Sequence, residues 1–119
     1  MKLVSEKAVN MASELSAGVV VNLIEKLPEI PAESIVSRTI YGDEQVKAVL
    51  FGFAPGQELS EHTAASPAIL HFLRGEAELA LGGQPPQAAG AGTWVHLPAQ
   101  LPHSVVARTE VVMLLLLLK

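Results

Sequence analysis

From Ser34 onward no stretch of the chain keeps a 3.6-residue apolar period. Short runs of β-favouring residues are instead cut by turn signals. The runs are Ile35 to Tyr41, Gln45 to Phe53, Leu59 to Thr63, Ile69 to Leu73, Ala77 to Leu81, Thr93 to Leu97, His103 to Ala107 and Val111 to Leu118. Between them lie GDE, APG, AASP, RG, GGQPPQAAGAG, PAQLP and RTE. Eight short strands spaced in this way predict an all-β sandwich or barrel.

Two runs show how their strands sit. In GEAELALGG, Glu76 and Glu78 share one face while Ala77, Leu79 and Leu81 share the other, the pattern of a half-exposed strand. VVMLLLLL has no alternation, which predicts a strand central in its sheet and covered on both faces. A chain of 119 residues makes one domain and has little spare length for such a cover. A homodimer is therefore expected, with the N-terminal region as the covering or exchanged piece.

That region, residues 1–33, reads as an arm, and residues 34–119 as the barrel. SEKAVNMASEL, from Ser5 to Leu15, has the signals of a short helix, with Ser5 as N-cap and Gly18 beyond its end. VVVNLIEKL reads as a strand or strand-like arm stopped by Pro28 and Pro31.

Only 4% of residues are aromatic, so Val, Leu, Ile and Ala must build the core. A net charge of −4 offers nucleic-acid phosphates no basic stripe, and a nucleic-acid partner is not expected. Without cysteine there are no disulfides, thiol nucleophiles or Cys-based zinc sites. Glu6 stands where the apolar run of a signal peptide would begin, and Val111 to Leu118 is far short of the about 20 residues of a membrane helix. A cytoplasmic protein without a membrane partner is expected.

The chemistry-bearing residues fall in two segments. Gly56, His62 and Gly75 lie in the first, and Gly92, Pro98 and His103 in the second. This arrangement resembles the two motifs of the small single-domain cupins, the RmlC-like proteins. The resemblance implies a double-stranded β-helix, a jelly-roll barrel of two antiparallel sheets with its site in the barrel mouth, and a dimer. It also implies a divalent metal held by two histidines and a glutamate from the first motif and one histidine from the second. Here the second histidine position is Ala64 and the glutamate position is Ala68, leaving His62 and His103. The motif glycine is Gln100 and the motif asparagine is Ala107.

Two neutral imidazoles offer no carboxylate charge to offset a dication in a low-dielectric pocket, so Fe(II) or Mn(II) is disfavoured and no cofactor is the leading expectation. If a metal binds, it binds weakly at His62 and His103, and Zn, Ni or Cu suits imidazole better. His71 and His96 should lie on the outer sheet face, His96 beside Trp94, as interface or surface histidines. By alternation Glu58 shares a face with His62 at the mouth, and Glu61 points away.

The leading reading is a small-molecule-binding protein whose ligand is held in the barrel by His62, His103 and Gln100, with Phe51, Phe53 and Phe72 as apolar lining. The alternatives are a weakly metal-dependent isomerase, hydrolase or oxygenase using His62 and His103, and a structural or regulatory dimerisation module. No nucleophile elbow, Ser-His-Asp order or phosphate-cradling glycine loop is present.

Overall fold

A computed structural model describes residues 16–119. The expected Ser5 to Leu15 helix lies outside these residues. Apart from one 3-10 turn at Ile24–Lys26, the described elements are strands: β1 (Ile35–Gly42), β2 (Val46–Phe53), β3 (Glu58–His62), β4 (Ala68–Arg74), β5 (Glu76–Leu81), β6 (Gln87–Gly90), β7 (Trp94–Leu97), β8 (His103–Ala107) and β9 (Val111–Leu118). They form two antiparallel sheets, one ordered β1-β2-β9-β4-β7 and the other β3-β8-β5-β6.

The core lies between the sheets. Phe53, Leu70, Phe72, Leu97, Val111 and Met113 enter from the first, and Ala77, Leu79, Ala89, Val105 and Ala107 from the second. Phe53 and Phe72 are fully buried, each contributing about 1.5–3 kcal/mol relative to exposure. The expected split in β5 is present, with Ala77 and Leu79 buried and Glu76 exposed. Glu78 meets the Arg108 guanidinium at the surface.

β9 is the middle strand of its sheet, paired to β2 from Val46↔Leu118 to Phe53↔Val111 and to β4 on its other side. That explains its lack of alternation, because both of its faces carry apolar residues and both of its edges are occupied. Its outer face is covered at one end by the chain's own N-terminal segment. A Cβ on Gly52 would stand 2.5 Å from Leu27 Cδ2 and 2.6 Å from Ile30 Cδ1, so the segment lies directly on the β2 backbone. Leu50 and Val112 beneath it are buried.

Two expectations need correction. Residues 19–27 form no strand; the segment crosses the sheet with a single 3-10 turn, in which the Lys26 and Leu27 N–H groups donate to the Leu23 and Ile24 carbonyls and so are not free for a strand ladder. GGQPPQAAGAG is more than a loop, since Gln87–Gly90 pairs with β5 from Glu76↔Gly90 to Leu79↔Gln87. Alanine and glycine have weak strand propensity, but Ala89 packs fully buried in the core and tertiary contact decides the outcome.

His71 faces outward, as alternation from the buried Ala68, Leu70 and Phe72 requires. On the neighbouring strand Trp94 stands opposite His71, and His96 opposite Ile69. Trp94 is 60% exposed.

Candidate functional site

His103 opens β8 and points inward with Val105 and Ala107; it is the one buried polar side chain among the described residues, 8% exposed. His62 closes β3 and is its cross-strand partner. Leu59 pairs with Val105 and His62 with His103, so Ser60 and Glu61 together stand opposite Ser104 alone. This one-residue bulge keeps both Leu59 and His62 on the inner face despite their odd spacing. It also corrects the reading of Glu58, which lies opposite Val106, on the other face from Leu59 and therefore from His62.

The imidazole centroids are 4.1 Å apart, with the rings tilted at 59°. His62 Nδ1 lies 2.7 Å from the Ser60 carbonyl and His103 Nδ1 lies 2.9 Å from the Leu101 carbonyl. A carbonyl only accepts, so each Nδ1 is the donor, and in the neutral ring each Nε2 carries the lone pair. The backbone thus fixes the same tautomer in both histidines.

The two rings line a cavity of about 170 Å3 whose other walls are Phe51, Leu59, Leu70, Val105, Met113 and Leu115. Of the residues expected in the site, the structure brings together His62, His103 and Phe51. Phe53 and Phe72 share the inner face but lie outside that lining, in the core. Gln100 is exposed in the turn before β8, with a left-handed backbone at φ 68° and its N–H donating to the Ala64 carbonyl at 2.8 Å. Leu59, Leu70, Val105, Met113 and Leu115 were missed; inward alternation on β4 and β9, followed from Ala68 and Leu117, would have found three of them, and alternation from His103 on β8 a fourth.

Residues 49–118, more than half of the chain, match the family model described as Cupin domain. The chain belongs to the cupin family. A conserved protein of unknown function from Streptococcus pyogenes is similar at 26% identity, with 88% of this chain and 90% of that one covered and a TM-score of 0.75. A cupin superfamily protein from Desulfitobacterium hafniense shares the fold at 22% identity, over 87% and 94% of the two chains, with a TM-score of 0.77. A Cupin 2 conserved barrel domain protein from Leptotrichia buccalis is 31% identical over 82% of this cupin, which spans 47% of that protein's length, with a TM-score of 0.75. No protein of curated function matches the sequence.

The donor set of this cupin does not fit the four-ligand metal centre that its family implies. Ala68, at the glutamate position, is buried between Leu97 and Leu117 on the flanking strands, and it brings a methyl group where a carboxylate would be needed. Among the described residues no three His, Cys, Asp or Glu side chains come together. Two imidazoles supply nitrogen donors without compensating charge.

Proposed function

We propose that this cupin binds a small organic molecule in the cavity beside His62 and His103. The observation that carries this reading is the pair of tautomer-fixed imidazoles, 4.1 Å apart, on the wall of an otherwise apolar pocket. A few placed polar groups in an apolar concavity are the usual means of orienting a small ligand. At about 170 Å3 the cavity is smaller than the roughly 300–1,000 Å3 of sites for drug-sized molecules, so the ligand is small.

The proposal includes a cytoplasmic homodimer. Its support is the outer face of the five-stranded sheet, where Leu114, Leu116 and Ile69 are only partly covered and Trp94 is exposed. Leu116→Lys should then yield a monomer in sedimentation with the barrel intact.

With Nδ1 engaged by the backbone in both rings, the Nε2 atoms favour one second reading, a weak Zn, Ni or Cu site supporting an enzymatic reaction. Elemental analysis of untagged protein separates the two. About one metal per chain that disappears in His62→Ala would replace the metal-free reading. Without metal, a thermal-shift screen of small acids, alcohols and sugars should find compounds that stabilise the native protein but not His62→Ala or His103→Ala. A screen without shifts would leave the dimerisation module as the better account.

A further inference from the structure

The tautomers fix more than the position of a ligand. Resting on the binding reading above, we infer that the pocket selects an uncharged, single-ring-sized molecule that donates hydrogen bonds, in preference to an anion or a molecule that only accepts. Both Nδ1 protons are committed to backbone carbonyls, at 2.7 and 2.9 Å. In its neutral form each ring therefore has Nε2 as its acceptor. The six remaining lining residues carry no polar side-chain atom other than the Met113 thioether, itself a weak acceptor. The wall holds two good acceptors, one weak one and no side-chain donor.

A carboxylate placed there would meet no cation among the lining side chains, and although His62 is exposed to solvent, toward the buried His103 its desolvation would go uncompensated unless a ring first took up a proton. A carbonyl or ether would face acceptors only. Hydroxyl, amide or phenol protons satisfy the two nitrogens, while a hydrocarbon frame meets Phe51, Leu70 and Leu115. The volume suits one ring, since an apolar cavity of about 150 Å3 holds benzene.

The test uses full-length protein dialysed against chelator and three probes of similar size: resorcinol, which donates two hydrogen bonds; 1,3-difluorobenzene, which has nearly the same shape and no donor; and benzoate, an anion. Binding is followed by calorimetry and by 15N shifts of the imidazole nitrogens. Resorcinol should bind at least about tenfold more tightly than either of the others, the difference expected from hydrogen bonds made or left unmade. It should move the Nε2 resonances of both histidines, while both Nδ1 atoms remain protonated. Tighter binding of benzoate or difluorobenzene, or Nε2 protonated in the free protein, would overturn the donor selectivity while leaving ligand binding standing. If none of the three binds, the selectivity is overturned, and the broader screen decides separately whether the pocket binds anything.

Discussion

Leu59 and His62 are three residues apart in β3, yet both face the cavity, because Ser60 and Glu61 share a single opposing residue, Ser104. The bulge also places the Ser60 carbonyl 2.7 Å from His62 Nδ1. One irregularity in one edge strand therefore sets both the position of the histidine and its protonated nitrogen.

Deleting Glu61 separates these two effects. The shortened strand regains strict alternation with Leu59 and His62 still inward, so nuclear Overhauser contacts between the rings of His62 and His103 should persist. The Ser60 carbonyl then belongs to the residue immediately before the histidine, and its bond to Nδ1 should be lost. Imidazole 15N spectra should show mixed tautomers for His62 and a single one for His103.

Gly75 is constrained twice. Its φ of 89° is left-handed, and a Cβ there would lie 2.0 Å from the Glu110 carbonyl oxygen. Backbone cannot swing aside as a flexible side chain can, so Gly75→Ala should cost about 3 kcal/mol or more. Gly56, with φ at 83° and nothing within 4 Å, is the control and should lose only about 1 kcal/mol as alanine. Urea midpoints of the two variants provide the comparison.

At Gln100 the sign reverses. A residue with a side chain occupies φ 68°, while its N–H bond to Ala64 is available to any residue except proline. Gln100→Gly should raise stability by roughly 0.5–1 kcal/mol, the strain removed less the added chain entropy. The His62 and His103 ring resonances should stay in place, because the Gln100 side chain is not in the cavity wall.

The turn between β1 and β2 contributes a pH dependence. The Tyr41 hydroxyl donates to Asp43 Oδ2 at 2.6 Å, and the N–H groups of Gln45 and Val46 donate to Oδ1 at 2.8 and 2.9 Å. These bonds, that of Tyr41 foremost, hold the Asp43 carboxyl below its ordinary value of 3.8. The stabilisation is fully present above the unfolded carboxyl's value and is lost as pH falls through the depressed folded value. The Asp43 hydrogen bond and charge in turn raise the Tyr41 hydroxyl above 10.0, so its contribution is present below that value and lost as pH rises through the raised one. Tyr41→Phe should move the Asp43 carboxyl 13C titration midpoint upward and remove the alkaline phase.

Turn residues and apolar runs placed eight of the nine strands to within one or two residues at each end, because Pro and Gly act locally on the backbone. The strand at Gln87–Gly90 was invisible because nothing local marks it; Ala89 is in a strand by virtue of what it packs against. Alternation gave the face of Phe51, Phe53 and Phe72 but not their height along the barrel, which depends on register between strands distant in sequence. Alternation alone would have turned His62 away from Leu59, since a bulge leaves no local trace in SEH. Its inward placement was legible only through the motif shared with His103, and the tautomers, which depend on carbonyl positions, were not legible at all.

The place of β9 between β2 and β4 has a consequence for the nascent chain. As the ribosome delivers β2 and β4, each presents an unpaired edge to the strand that will join them, and that strand arrives last of the nine. At about 5–20 residues per second, more than forty residues separate the completion of Arg74 from that of Leu118, so the two edges stand open for seconds. Those exposed backbone groups are a template for pairing with other chains. Production conditions that slow translation should therefore increase aggregation without changing the stability of the finished protein.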